Sequence, residues 1–336
     1  MATANLTVDK TLHVHIVNDP ELPDLFELDT EQFWAALEGT PDLKSRIRVT
    51  VGCGDEGLFE AAETADVLIG WSFRHRELVQ RAPSLRWIHI IGAGVEHLAP
   101  IDWLPPEITL TNSSGVHVER SGEYVACALL MLNSRLPEHV TNQRKRRWVS
   151  SYSDTIDGKV IVVIGVGQIG GEGARRAKQL GLEVRGVRRS GASHPSVDRM
   201  YRPDQLHDAR RGADFVLVAA ATTTDTRKML GPDELDLLNP GAGLINLARA
   251  DIVDYDAVVE RLESGALRGA ILDVFDPEPL PPESPLWECD NLIVTPHVSS
   301  DPSNYNERML EIFVDNCSRF VAGEALRNVV KPERGY

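Results

Sequence analysis

A glycine cluster that directly follows a run of β-branched residues is the most informative motif of the 336-residue sequence. Val160–Ile164 leads into Gly165-x-Gly167-x-x-Gly170, and a helical pattern follows. Glycines at these positions permit a tight turn, let the backbone approach a pyrophosphate and allow a helix to pack closely on a strand. The helix would then direct free N–H groups and the positive end of its dipole at the phosphates. The motif therefore predicts a dinucleotide-binding site.

The residues after the next predicted strand indicate which dinucleotide binds. An NAD-binding unit places an acidic residue there, roughly 20 residues beyond the glycines, to bind the ribose 2′-hydroxyl. This sequence has Arg188, Arg189 and Ser190 instead. Two guanidinium groups and a hydroxyl suit a 2′-phosphate, so we expect NADP(H) to be preferred over NAD(H). The alternative is that both arginines point to solvent and the preference is loose.

Three further segments carry polar residues at the ends of predicted strands. They contain Arg249, then Asp273 and Glu278, then His297. Ligands of doubly wound sheets bind outside the carboxyl ends of the strands, so these side chains could converge on one crevice. Taken singly, the arginine would be read as a surface ion pair and the glutamate as a turn residue. The joint pattern favours a site.

The elements that must position these residues alternate between short apolar runs and longer amphipathic stretches. Predicted strands are 12–17, 47–51, 66–70, 85–91 and 108–111 in a first set, and 160–164, 183–187, 215–219, 243–247, 269–274 and 292–295 in a second. This alternation is typical of parallel sheets with helices on both faces, and two sets predict an α/β protein of two doubly wound parallel-sheet domains. Helical periodicity also predicts one long connecting helix over 120–148 and a last helix over 304–321.

Composition excludes several classes of function. The formal net charge of −15 makes nucleic acid and anionic membranes poor partners. No segment approaches the ~20 apolar residues of a membrane span, and the first residues lack a signal-peptide pattern. The four cysteines form no CxxC motif, which argues against a zinc site. We therefore expect a cytoplasmic protein that binds no metal.

The glycine turn, the segment NLAR ending at Arg249, the segment LDVFDPEPLP at 272–281 and the segment TPH ending at His297 together resemble the D-isomer-specific 2-hydroxyacid dehydrogenase family. The resemblance covers nearly the whole chain. The arginine pair at 188–189 makes the chain more similar to the NADP-dependent glyoxylate/hydroxypyruvate reductase branch. It implies a Rossmann-type dinucleotide-binding domain at 118–301. Both chain ends, 1–117 and 302–336, would form a flavodoxin-like substrate-binding domain.

The resemblance also implies a role for each residue of the site. Arg249 would hold the substrate carboxylate and polarise the keto oxygen, and His297 would be the general acid and base. Glu278 would orient His297 and favour its protonated form. Asp273 would meet the nicotinamide carboxamide, and the backbone of Ala93 and Gly94 would complete the carboxylate site. Further cofactor contacts are expected from Gln168, Ile169, Ala220, Thr226, Leu247, Ala248 and His297.

The predicted function is NADPH-dependent reduction of a small 2-keto acid to the D-2-hydroxy acid, and the reverse, by a homodimer formed through the cofactor domain. One alternative is a formate- or phosphite-type oxidoreductase on the same fold, although the formate branch has glutamine where Glu278 stands. The other is a dinucleotide-sensing scaffold of the transcriptional corepressor type. The roles of His117, Arg74 and Trp148 stay open, the last as a residue that could dock on another subunit.

Overall fold

The computed structural model describes residues 11–331 of the chain, and contacts divide it into two compact units. One unit is Met1–Val116 with Pro302–Tyr336, and the other is His117–Asp301. Residues 1–10 and 332–336, which the sequence assigns to the substrate-binding domain, lie outside the described residues.

The first unit is built on a parallel sheet of five strands in the order β2-β1-β3-β4-β5, which is the flavodoxin-like arrangement. Its strands are β1 Leu12–Asn18, β2 Ile47–Cys53, β3 Val67–Gly70, β4 Trp87–Ile90 and β5 Thr109–Asn112. Its helices in the segment before the second unit are α1 Thr30–Ala36, α2 Pro41–Lys44, α3 Gly54–Glu60 and α4 His75–Arg81. The central strands β3 and β4 are buried on both faces, which explains why they are largely apolar.

A chain of hydrogen bonds accounts for the burial of His89, one of three buried histidines that the structure describes in this sheet. The Trp87 indole N–H donates to Thr111 Oγ1, which lies 2.8 Å from His89 Nδ1, and His89 Nε2 lies 3.1 Å from Ser113 Oγ. Complete burial lowers the pKa of His89 to about 3, so the ring is neutral at physiological pH. His89 is therefore a structural residue of the sheet.

The second unit contains a parallel sheet of seven strands in the order β12-β11-β10-β9-β6-β7-β8. Its strands are β6 Val160–Ile164, β7 Glu183–Val187, β8 Arg199–Tyr201, β9 Phe215–Val218, β10 Ala242–Asn246, β11 Leu267–Leu272 and β12 Leu292–Val294. Its helices are α5 Val118–Asn133, α6 Leu136–Arg144, α7 Gln168–Gln179, α8 Leu206–Arg210, α9 Pro232–Leu235 and α10 Tyr255–Ser264. The order is that of the Rossmann fold with one strand added, and it reverses between β6 and β9.

The register of this sheet brings six strand ends to one level. Ile164 pairs with Val187 and Val218, Val218 pairs with Asn246, Asn246 with Leu272, and Leu272 with Val294. Each of these residues is the last of its strand. The segments that carry every predicted cofactor and catalytic residue of the second unit therefore leave the sheet from the same edge.

The last helix, α11 Tyr305–Ala322, belongs to the first unit. Met309, Phe313 and Cys317 lie on its buried face, and the Phe313 ring stacks on Trp87 with 4.9 Å between the centroids. The helix α11 is therefore part of the core of the first unit. Within residues 11–331, no helix is both long and apolar enough to cross a membrane.

One predicted helix of the second unit is wrong, and one of its strands was not predicted. The expected helix over 120–148 is two helices. Arg135 adopts a left-handed conformation (φ 57°), which ends the first helical path, and a new helix begins at Leu136 with Pro137 in its first turn, where proline is tolerated. Strand β8 was not predicted at all. It is a three-residue edge strand without an apolar run, so it has no sequence signature.

Candidate active site

The glycine turn lies between β6 and α7, at the point where the strand order reverses. Gly165 has a φ of 91°, and a Cβ there would lie 2.5 Å from the backbone of Ala220 after β9. A Cβ on Gly170 would lie 1.9 Å from the Gly165 carbonyl oxygen. At Gly167, by contrast, a Cβ would have no neighbour within 4 Å. The two outer glycines therefore permit the fold, and the central one leaves the backbone open to a ligand.

The first turn of α7 has donors for such a ligand. The first hydrogen bond inside this turn runs from the Gly171 N–H to the Gly167 carbonyl, so the N–H groups of Gln168, Ile169 and Gly170 precede the helical ladder. Gln168 is exposed and Ile169 is partly buried. An anionic pyrophosphate fits this end of the helix.

Arg188, Arg189 and Ser190 follow β7, the neighbour of β6. Arg188 is partly buried, whereas Arg189 and Ser190 are exposed. A turn closes here, because the Gly191 N–H donates to the Arg188 carbonyl and the Ala192 N–H to Ser190 Oγ. No aspartate or glutamate occurs between residues 187 and 197. The end of this strand is therefore cationic, as a 2′-phosphate site requires.

His297 and Glu278 form a hydrogen-bonded pair. His297 Nδ1 lies 2.8 Å from Glu278 Oε2, and the Phe275 N–H donates to Glu278 Oε1 at 2.7 Å. Both side chains are partly accessible, with 46% and 36% of their surface exposed. A carboxylate on Nδ1 accepts the proton of that nitrogen, so Nε2 is the ring nitrogen left for another partner.

The segment that carries His297 is organised by Asp273, which is fully buried. Its Oδ1 accepts from the Thr295 hydroxyl at 2.5 Å and from the Val298 N–H, and its Oδ2 accepts from the Ser299 N–H. Since Thr295 donates its only hydroxyl proton to Asp273, it accepts from the Tyr124 hydroxyl, which lies 2.7 Å away. Burial raises the pKa of Tyr124, so its hydroxyl remains a donor. Asp273 thus fixes the backbone on either side of His297, a role that the sequence did not indicate.

The loop that carries Arg249 is held by Asn246, the last residue of β10. Asn246 is fully buried, accepts from the Ala248 N–H and donates to the Arg249 carbonyl oxygen at 3.1 Å. Leu247 and Ala248 are buried, whereas Arg249 is exposed and its Nη1 donates to the Ala248 carbonyl oxygen. The buried loop thereby presents a guanidinium at the surface of the sheet edge.

The loop after β9 is closed by Thr226. Its hydroxyl donates to the Ala221 carbonyl oxygen at 2.9 Å and accepts from the Thr223 N–H. Ala220 precedes this loop and contacts the glycine turn. Both predicted cofactor residues of this segment therefore lie beside the turn or shape the loop next to it.

Comparison with known proteins identifies this arrangement. Residues 126–299, more than half of the chain, match the family model described as D-isomer specific 2-hydroxyacid dehydrogenase, NAD binding domain. The chain belongs to this family. As members of it, the chain and its relatives are oxidoreductases, and the resemblance inferred from the motifs is confirmed.

Relatives of this dehydrogenase include a glyoxylate reductase of Pyrococcus furiosus, which is 30% identical over 83% of this chain and 86% of its own. Among solved structures, a D-isomer specific 2-hydroxyacid dehydrogenase from Xanthobacter autotrophicus in complex with NADPH and MES has a TM-score of 0.81 at 28% identity, covering 97% of this chain and 100% of that one. An NADPH-dependent glyoxylate/hydroxypyruvate reductase from Sinorhizobium meliloti in complex with NADP and sulfate has a TM-score of 0.77 at 26% identity, covering 96% and 100%.

The first unit of the dehydrogenase carries the loop of Ala93 and Gly94 after β4. The Asn112 side chain donates to the Ala93 carbonyl oxygen, and the backbone N–H groups of Ala93 and Gly94 have no acceptor within residues 11–331. Trp71 covers this loop so closely that a Cβ on Gly92 would lie 2.2 Å from its ring. The loop is therefore tightly packed against Trp71, and two of its backbone N–H groups are available as donors.

The three residues whose roles stayed open have different surroundings. His117 Nδ1 lies 3.2 Å from Asp301 Oδ1 and 3.3 Å from the Ser300 carbonyl oxygen, at the end of the second unit. Arg74 forms an ion pair with Glu77 at 2.8 Å. Trp148 lies beyond the end of α6 and is 98% exposed.

Sequence reasoning missed two polar residues that support this dehydrogenase site. Asn246 ends an otherwise apolar strand, and a polar residue at such a position could have been recognised as a loop anchor. Tyr255 begins α10, and its hydroxyl contacts the Asn246 side chain and the Val274 carbonyl oxygen. No local pattern marks it, because the partners of a tyrosine hydroxyl depend on tertiary packing.

Proposed function

We propose that the protein reduces a small 2-keto acid to the D-2-hydroxy acid with NADPH, and catalyses the reverse reaction. The observation that carries this proposal is the Glu278–His297 hydrogen-bonded pair. The loops that carry these two residues begin at the same edge of the sheet as the Arg249 loop and the glycine turn. In this proposal, neighbouring loops at that edge supply a proton donor, a group that binds the substrate carboxylate and a turn that binds the dinucleotide.

Each residue has a defined task in the proposed reaction. NADPH, when bound, would supply a hydride from C4 of its nicotinamide. Arg249 binds the substrate carboxylate through two parallel N–H groups and places a positive charge beside the keto oxygen. His297 donates the Nε2 proton to that oxygen, and Glu278 stabilises the imidazolium before transfer. In the first unit, the backbone N–H groups of Ala93 and Gly94 are the proposed substrate-binding donors.

The residues present fit NADP(H). Gly165, Gly167 and Gly170 with the N–H groups of Gln168 and Ile169 would hold the pyrophosphate, and Arg188, Arg189 and Ser190 the 2′-phosphate. Ala220, Thr226, Leu247 and Ala248 would line the cofactor. Asp273 remains our proposal for the residue that meets the nicotinamide carboxamide. A homodimer through the cofactor domain also remains our proposal.

A substrate panel tests this function. Consumption of NADPH and of NADH is followed by absorbance with glyoxylate, hydroxypyruvate, pyruvate, phenylpyruvate and 2-ketohexanoate, and NADPH binding is measured separately by fluorescence. We expect rapid NADPH oxidation with at least one keto acid. Tight NADPH binding without turnover of any of them would contradict the proposal and favour the sensing scaffold or a different acid. Turnover with formate or phosphite alone would identify the other alternative.

The arginine pair makes a separate prediction about the cofactor. Arg188→Ala and Arg189→Ala are each expected to raise the KM for NADPH by roughly 10- to 100-fold, because each removes charge-assisted hydrogen bonds to the 2′-phosphate. The KM for NADH should change less than about 2-fold. Arg175→Ala is the matched control, since it removes a cation of the same unit that is paired with Glu172. Equal losses for NADPH and NADH would refute recognition of the 2′-phosphate by these residues.

A further inference from the structure

Tyr255 lies between the two loops that carry the proposed catalytic groups. It is the first residue of α10 and is partly buried. Its hydroxyl accepts from Asn246 Nδ2 at 2.9 Å and donates to the Val274 carbonyl oxygen at 2.7 Å. Burial raises the pKa of Tyr255 well above its ordinary value, so the hydroxyl keeps the proton that it donates.

The acceptor of Tyr255 belongs to the peptide group that holds Glu278. The Val274 carbonyl and the Phe275 N–H are the two ends of one planar peptide. The Phe275 N–H donates to Glu278 Oε1 at 2.7 Å, and Glu278 Oε2 lies 2.8 Å from His297 Nδ1. A bond to the carbonyl fixes the plane of this peptide and polarises its N–H. A line of three hydrogen bonds thus runs from Tyr255 to the imidazole.

The other partner of Tyr255 belongs to the arginine loop. Asn246 uses its second Nδ2 hydrogen for the Arg249 carbonyl oxygen and its Oδ1 for the Ala248 N–H. The hydroxyl of Tyr255 consequently connects the loop after β10 with the loop after β11. Both loops also have anchors of their own, which Tyr255 does not supply.

The contribution of the Tyr255 hydroxyl can be tested separately from the packing of its ring. The ring of Tyr255 packs at a 63° angle to that of Phe275, with 6.1 Å between the centroids. Tyr255→Phe keeps this packing and removes only the two hydrogen bonds. The substitution therefore tests the hydroxyl without opening a cavity.

We propose that Tyr255 is a positioning residue that orients Glu278, and through it His297, by fixing the peptide between Val274 and Phe275. This inference rests on the proposed function, because it assigns Glu278 and His297 to proton transfer. It predicts that the hydroxyl contributes to the chemical step and little to the binding of either ligand.

The test compares the steady-state kinetics of Tyr255→Phe with those of the wild type. A small misplacement of the acid lowers the rate steeply, so we expect kcat to fall by roughly 5- to 50-fold. The KM for the keto acid and the affinity for NADPH should change less than about 2-fold. Tyr201→Phe, which removes a hydroxyl bonded to Arg199 in the same unit, is the control and should leave kcat unchanged.

A double-mutant cycle tests whether the loss of kcat in Tyr255→Phe is transmitted through Glu278. If Tyr255 acts through Glu278, Tyr255→Phe should lower kcat less than about 2-fold in a Glu278→Gln background, because the carboxylate that it orients is already gone. Equal losses in both backgrounds would overturn the inference. So would a rise in KM for the keto acid at constant kcat, which would place the effect in the arginine loop, or a lower melting temperature at unchanged kcat.

The kinetics distinguish failure of the proposed function from failure of the role of Tyr255. A wild-type protein that turns over no keto acid on the panel contradicts the proposed function, and the inference falls with it. An active wild type with an equally active Tyr255→Phe variant contradicts only the role of Tyr255.

Discussion

Replacement of His297 by asparagine is expected to lower kcat by about 100- to 10,000-fold, because the variant lacks a group that can transfer a proton near neutral pH. His297 has a φ of 54°, in the left-handed region that histidine and asparagine tolerate better than most residues. Asparagine therefore preserves the backbone of the loop. Fluorescence titration should show an affinity for NADPH within about 2-fold of the wild type.

His207→Asn is the matched control for this variant. His207 is an exposed histidine of the same unit, 3.9 Å from Asp208, and it lies on α8 rather than on a loop at the carboxyl edge. Its substitution should leave kcat and NADPH affinity unchanged. Turnover by His297→Asn at a rate close to that of the wild type would rule out His297 as the general acid.

Arg249→Lys is expected to lower kcat/KM for the keto acid by roughly 10- to 150-fold. A guanidinium donates two parallel hydrogen bonds to a carboxylate, whereas an ammonium is a point charge that reaches one oxygen at a time. The loss of one bond to a charged group costs about 1.5–3 kcal/mol, which corresponds to this change in rate. The loop is expected to stay in place, because Asn246 holds it through the backbone carbonyl of residue 249.

Steady-state kinetics against the most active keto acid of the panel provide the measurement for this variant. The KM for NADPH should not change, since the guanidinium is assigned to the substrate. Arg175→Lys, a conservative change at an arginine paired with Glu172, is the control and should have wild-type kinetics. A variant with unchanged kcat/KM for keto acids would show that another group binds the carboxylate.

Much of the site could be predicted because its residues follow strands that have clear local signatures. A strand of a parallel sheet is an apolar run, and the residue after it lies at the carboxyl edge whatever the rest of the chain does. Gly165, Arg188, Arg249 and His297 were placed at that edge for this reason. The division of the connecting helix at Arg135 was not predicted, since the apolar periodicity continues across the break.

The supporting residues could not be predicted in the same way. Asp273 is predicted to meet the cofactor, and the structure adds that its carboxylate accepts three hydrogen bonds from the segment around His297. A carboxylate after a strand has the same local signature whether it binds a ligand or a neighbouring loop. The partners depend on which loops are adjacent, and that depends on the strand order.

The sequence by itself determined the fold class and the family and predicted the types of the reacting groups, because each follows from local patterns of glycine, apolar and charged residues. Only the tertiary structure decided how those groups are held. The register that aligns Asn246, Leu272 and Val294 brings distant loops together, and the Tyr255 hydroxyl then finds partners 9 residues before it and 19 after it. Such contacts arise from the packing of elements far apart in the chain, and no local pattern encodes them.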